Sequence, residues 1–582
     1  MNELSGIKLP DYLIIITYFA VIIFAGYYFS RYVRKAKNYF VAGCAMPWWL
    51  SGTSYYMASF TALLFVMYNE IAYLYGFVAI TYLWFLNLGI VISGYFLAHR
   101  WRRARILTPI EFMEKRFNKN VHQIYVWAGI PYRLLDNGLR IFTTAIIFNI
   151  AINNPAISFN RFVIIVGLIM IAYTYLGGQM AVIITDFVQA IIILVAISML
   201  FILLILKIDS FPNFIGSMPE GFFHPANRPY DWLYLIFACF AIAVFDYGAN
   251  WPLVQKYNTT RSESDARKMV YYLAVLGLIM PPVFFFPGLS ARYFLPNLEN
   301  TRTVYAVICM TVLPLGVMGF MLSALFSATL STLGSEFNTL SAILTRDFYK
   351  KKINPNISEK GEVLCGRFFT IIIGFIIIGT AILLNSIHTL NLMDIMVRYF
   401  AAFGPPLSIP IVTGLLFKKI NARGVIWGLT GGILTGVTLQ AANVIVVQKY
   451  SGLMKTDPAV DYWLRSGWPS FASLATIIIV FLLMWLGTRI KETHPEEKAR
   501  VESFFSDLKK PYELDTGQKC NIFPFNIMSI ILGVLGAAMI IVSFITAFCY
   551  HDITAFRLNL IVGLILGITA LIMRISSSKF SL

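Results

Sequence analysis

The sequence predicts an all-α polytopic membrane protein with about fifteen transmembrane helices. Three observations carry this. Of 582 residues, 58% are hydrophobic and 13% charged, whereas soluble domains carry roughly 25% charged residues. Apolar runs of about 20 residues, the length that crosses a bilayer core, recur from end to end. Lysine and arginine are spread unevenly over the loops between those runs.

The expected spans are 11–31, 47–72, 75–99, 121–152, 162–177, 185–206, 230–255, 269–291, 308–345, 368–385, 390–417, 424–447, 466–488, 522–548 and 555–573. The first is too long and too aromatic for a cleaved signal peptide. The ninth exceeds one straight crossing and is expected to include a helical extension. With the N-terminus outside, the inside loops hold Arg31 to Lys37, Arg100 to Lys119, Lys256 to Lys268, Arg346 to Arg367, Lys418 to Arg423, Arg489 to Lys519 and the tail. Basic residues then favour the inside by roughly three to one, as the positive-inside rule requires. This orientation needs an odd number of spans and a cytoplasmic C-terminus. It places the chain in the plasma membrane, as a bacterial inner-membrane protein surrounded by lipid.

That distribution accounts for the net charge of +17 without a nucleic-acid partner. The six cysteines show no metal or redox spacing. No HExxH, nucleophile elbow or paired histidine occurs in a span, so no enzyme is expected.

The charged residues inside spans carry the functional information, because a charge at membrane depth needs a cavity or a partner. They are Arg133, Arg140 and Arg398 with Asp136, Asp186, Asp246 and Asp394. Asp136 with Arg140 and Asp394 with Arg398 have i,i+4 spacing, so either set can be a local pair or part of a binding site. Asp246 has no local partner.

Two spans carry unwinding signals. Ser51 to Ala62 is dense in small and hydroxyl residues. Phe245 to Pro252 contains Gly248 and Pro252, which weaken helical hydrogen bonding. The two lie five spans apart and so run in opposite directions, as in an inverted repeat with a binding site at the breaks. The ninth span adds Ser331 and Thr332, adjacent hydroxyls of the kind a small hard cation seeks.

The sequence resembles the sodium/solute symporter family, which has a LeuT-type core. The resemblance rests on Tyr39 to Gly43 with Pro47-Trp-Trp, Thr108-Pro with Glu111 to Phe117, Gly177-Gly with Thr185 to Gln189, Gly334 to Thr339 running into Thr345 to Tyr349, and Gly414 to Lys419. It implies an N-terminal helix with a basic loop at 1–46 and a 5+5 transport core at 47–420, with repeats at 47–207 and 230–420. Additional C-terminal helices follow at 421–582. The family's sodium site falls at Met57, Phe60, Ala328, Ser331 and Thr332. A second sodium site found in some members would use Asp186 and Ser335, though Gly334 stands where that site has a hydroxyl. Positions that hold sugar hydroxyls in relatives are Leu64, Leu83, Leu86, Ala243, Gly277 and Val397 here, nearly all apolar. Arg140 closely matches an arginine that meets the carboxylate of sialic acid in other relatives. Ser59 and Thr61 match lining hydroxyls, Tyr82 a gating aromatic and Asp246 a gate position. Asp394 and Arg398 complete the candidate solute residues. The implied function is sodium-coupled import, by a monomer, of a small organic solute, preferably a sugar acid or other carboxylate. A neutral sugar, or a membrane sensor that binds without transport, are the alternatives.

Overall fold

The computed structural model describes residues 6–30, 46–106, 108–385, 392–450, 452–490, 494–512 and 525–580. Side chains are described at all of these except 29–30, 176–181, 392–395, 455 and 577–580. Tyr39 to Gly43 and most of the first basic loop lie outside the described residues.

Helices account for the architecture, and no β-strand is found among the described residues. In chain order they are α1 (Leu9–Ser30), α2 (Trp48–Ala58), α3 (Ala62–Tyr75), α4 (Val78–Arg103), α5 (Glu111–Arg116), α6 (Lys119–Ile152), α7 (Phe159–Lys207), α8 (Tyr234–Ala249), α9 (Trp251–Thr259) and α10 (Glu263–Phe294). There follow α11 (Val304–Val312), α12 (Val317–Ala342), α13 (Glu359–Asn385), α14 (Leu392–Leu416), α15 (Ala422–Lys449), α16 (Trp468–Arg489), α17 (Pro495–Lys509), α18 (Phe525–Tyr550) and α19 (Ile553–Phe580). Among the described residues, twelve helices are long and apolar enough to cross a membrane, and fourteen crossings result if each of two bent pairs is one.

That count takes α7 as a single crossing. The spans expected at 162–177 and 185–206 join there in one helical run of 49 residues, which at about 1.5 Å per residue is more than twice the thickness of the hydrocarbon core and so has the length for both expected crossings. Asp186 therefore lies inside a helix and does not cap one. The over-long ninth span divides instead at Leu313 to Gly316. Gly316, at φ +84°, makes the turn between α11 and α12, a backbone conformation glycine adopts freely. Asp11 of α1 satisfies the freed donors at the start of α12, accepting from Gly316 N and Gly319 N at 2.8 Å each.

Both predicted breaks are present. α2 and α3 meet at 62° across Ser59 to Thr61, and α8 and α9 meet at 51° across Asn250. Thr61 is extended, at φ −147° and ψ 168°, and Asn250 has ψ 120°. Pro252 falls in the first turn of α9, where its missing N–H costs nothing. The break therefore lies between Gly248 and Pro252. α12 is buried along its whole length and packs against α2, α6, α7 and α9, which places it at the centre of the bundle.

On the side of the basic loops, Arg116 is fully buried. It donates to the carbonyls of Gly414, Phe417, Lys418 and Ile420 at 2.9–3.1 Å. Those carbonyls end α14 and lack helical partners. Arg103 and Arg105 treat the end of α17 in the same way, bonding Leu508 O and Pro511 O at 3.2 and 2.9 Å.

Candidate functional site

The first group of candidate residues gathers at the α2–α3 break. The Thr332 hydroxyl of α12 lies 3.2 Å from Met57 O, 2.5 Å from Phe60 O and 3.3 Å from Ala328 O. The Ser331 hydroxyl is fully buried and makes no hydrogen bond of ordinary geometry. Unwinding at Ser59 to Thr61 turns two carbonyls toward α12, and the i,i+4 step from Ala328 to Thr332 brings a third. The result is a buried cluster of hydroxyl and carbonyl oxygens at one point. Such neutral oxygens suit a small hard cation. Thr329, on the same helix, accepts from Ala62 N at 3.0 Å and from the Thr144 hydroxyl at 2.9 Å. The break is thereby tied to α6 as well.

The second group surrounds a central cavity between α2–α3, α4, α6, α8, α10 and α14. Ser59, Thr61, Tyr82, Arg140 and Asp246 all line it. So do Leu64, Leu83, Leu86, Ala243, Gly277 and Val397, which make most of one wall apolar. Arg140 is held in place by Asp136, whose Oδ2 accepts from its Nε at 3.1 Å and its Nη2 at 2.7 Å. The other oxygen of Asp136 accepts from the Tyr399 hydroxyl at 2.5 Å. Arg140 keeps about 15% of its side chain exposed, against 1% for Asp136. The local pair foreseen from the spacing therefore exists, and it still presents the guanidinium to the cavity. Asp246, on α8 just before the break, is 6% exposed and makes no ion pair among the described residues.

Arg398 stands apart. It lines a second cavity with Glu70, Tyr230, Tyr234 and Arg465, and its Nε and Nη2 donate to Asn443 Oδ1 at 3.1 and 2.9 Å. Met67 and Val397 border both cavities. The side chain of Asp394 lies outside the described residues.

Two residues of weight escaped the sequence reading. Glu336 of α12 pairs with Arg133 at 3.1 Å, both side chains being 5% exposed or less. With its amide turned to match its neighbours, Asn250 accepts from Arg133 at 3.1 and 3.3 Å. Arg133 thus locks the α8–α9 break to α12. Only its spacing to Asp136 was visible in sequence, whereas its partner comes from a helix 203 residues away. Lys256 falls at the predicted end of a span and was counted with a loop. It is in fact fully buried in α9 beside Asp186. Ser335 is also fully buried, and its hydroxyl makes no hydrogen bond.

The Arg133–Glu336 pair supports a direct expectation. Removing one member of a buried pair strands the other charge and costs about 3–5 kcal/mol. Glu336→Gln is expected to lower the thermal midpoint of the purified protein markedly. Adding Arg133→Met should recover most of the loss, and an unchanged midpoint in the single variant would contradict the pairing.

Two bent helices that line one largely apolar cavity holding Arg140 and Asp246, the first with its break and the second with the turn before its break, with an oxygen cluster beside the first break, define an ion-coupled membrane carrier of small solutes. Known proteins agree. The description "Sodium:solute symporter family" matches residues 39–432. The chain is 25% identical over 452 residues to the sodium/sialic acid symporter NanT of Aliivibrio fischeri, covering 74% of this chain and 88% of that one. It is 25% identical over 475 residues to the sodium/glucose cotransporter of Vibrio parahaemolyticus, covering 74% and 85%. A solved structure of a Na+-coupled sialic acid symporter, in its substrate-bound outward-open state, shares the fold at a TM-score of 0.70. Their identity is 19%, over 83% of this chain and 98% of that one. The chain belongs to the sodium:solute symporter family. It is a multi-pass membrane protein that couples sodium to the movement of a small solute.

Proposed function

We propose that the protein imports a small organic anion with sodium by alternating access, the carboxylate resting on Arg140. The observation that carries this reading is the Arg140 guanidinium, braced by Asp136 and Tyr399 and aimed into a cavity whose other walls are largely apolar. A braced guanidinium bonds both oxygens of a carboxylate at little entropic cost. The apolar residues at the sugar positions suit a solute with an apolar body better than a bare hexose. Asp246, facing the same cavity without an ion pair, suits a hydroxyl or amino donor on that solute. The two named sialic acid symporters among the relatives fit an anionic sugar acid.

In this reading sodium binds at Met57, Phe60, Ala328, Ser331 and Thr332 and stabilises the form open to the outside. Solute then binds across the α2–α3 and α8–α9 breaks, which act as matching parts of two inverted five-helix repeats at 47–207 and 230–420. Each ligand favours the same closed state, so each tightens the other reciprocally. The setting is the bacterial inner membrane, with the N-terminus outside, the C-terminus cytoplasmic and the chain acting as a monomer.

The test is a thermal-shift screen of purified protein against sugar acids, monocarboxylates, neutral sugars and amino acids, each with and without sodium. Stabilisation is expected from carboxylates, and to be larger in sodium than in potassium. Stabilisation by neutral sugars alone would overturn the role given to Arg140.

A further inference from the structure

The inner halves of the two bent spans meet around a buried lysine that the sodium cluster does not use. All nine residues of α9 are buried, and Lys256 in its middle is 0% exposed. A lysine is almost never fully buried without a partner. Its Nζ donates to the Ser54 hydroxyl of α2 at 2.7 Å and lies 3.6 Å from Asp186 Oδ2 of α7. Ser54 in turn donates to that same carboxylate oxygen. Four helices, α2, α7, α9 and α12, pack together at this point.

The surrounding oxygens are more than the ammonium needs. Asp186 Oδ1, Ser331 Oγ and Ser335 Oγ are all fully buried and make no hydrogen bond of ordinary geometry. Ser331 stands beside Asp186 and next to Thr332 in the chain. A carboxylate with converging hydroxyls is a donor set for a hard cation. Here the positive charge is supplied by the chain itself, on a tether, with three N–H donors in place of coordination bonds.

We propose that the Lys256 ammonium is a built-in cation that fills a second cation position beside Asp186, so that one sodium ion, not two, binds per chain. Asp186 and Lys256 cancel one another. A mobile cation added at Asp186 would leave the buried group with a net positive charge, at a depth where solvent screens such repulsion poorly. The lysine therefore fixes the ion count. It also holds the inner half of one bent span against the other and against α7. This inference rests on the sodium reading above but concerns the number of ions, not their presence.

The test uses sodium alone. Radioactive sodium binding to the purified full-length protein is measured by equilibrium titration, with potassium as the control ion. The wild type is expected to bind one sodium with a Hill coefficient near one. Lys256→Met, which leaves the carboxylate bare, is expected to bind two with a Hill coefficient above one, and Asp186→Asn added to it returns the count to one. Asp186→Asn alone keeps the count at one and shifts the sodium Kd by less than about threefold. It keeps the proposal testable even if Lys256→Met does not fold. A wild-type count of two, a count that stays at one in folded Lys256→Met, or loss of the sodium in Asp186→Asn would each overturn the proposal. A count of zero in the wild type would overturn the sodium reading itself.

Discussion

Thr332→Ala is expected to weaken sodium binding by about tenfold to a hundredfold while leaving the protein folded. The Thr332 hydroxyl is the one group within reach of all three carbonyls of the cluster, Met57, Phe60 and Ala328. A hydrogen bond or coordination contact to a charged partner is worth about 1.5–3 kcal/mol, and each 1.4 kcal/mol is tenfold in affinity. Thr332→Ser keeps the oxygen and should stay close to wild type. The measurement is the sodium dependence of intrinsic tryptophan fluorescence, which Trp48 and Trp49 at the start of α2 make possible. A sodium titration of Thr332→Ala that overlays the wild type would remove this cluster as the ion site.

Arg140→Gln should do the opposite: abolish carboxylate binding and spare sodium. Truncating one partner of a buried, hydrogen-bonded charge pair costs about 2–5 kcal/mol, or about thirtyfold to several thousandfold in affinity. The variant also strands Asp136, so the informative partner is Arg140→Gln with Asp136→Asn. If Arg140 served only to neutralise Asp136, the double variant would regain solute-driven stabilisation and uptake. If Arg140 meets the solute, both variants fail while the sodium titration stays within a small factor of wild type.

What the sequence disclosed follows from how local each signal is. The breaks at Ser59 to Thr61 and at Asn250 were legible because hydroxyl, glycine and proline residues weaken a helix where they stand. The sodium cluster was legible through the family resemblance, and its convergence depends on two helices approaching each other. The Asp136–Arg140 contact was visible as an i,i+4 step on one helix. Glu336 and Lys256 were not read because their meaning lies in partners 203 and 70 residues away. The same spacing rule suggested Asp394 for Arg398; the Asp394 side chain lies outside the described residues, and Arg398 also bonds Asn443 on α15, a partner that no local spacing points to. At α7 the two expected spans join without a break in the helical backbone at the glycine pair.

The two cavities that share Met67 and Val397 have a kinetic corollary. One chamber carries Glu70, Arg398 and Arg465 and the other carries Arg140 and Asp246, and the septum between them contains one flexible methionine and one stiffer valine. Tyr82, on the inner chamber, touches Tyr230 and Tyr234 of the outer one edge-on or tilted, with ring centres 6.4 and 6.2 Å apart. Opening such a septum calls for movement of side chains, whereas shifting whole helices takes microseconds to milliseconds. On the opposite face the buried Arg116 staples the carbonyls at the end of α14, so opening there calls for backbone movement as well as side-chain movement.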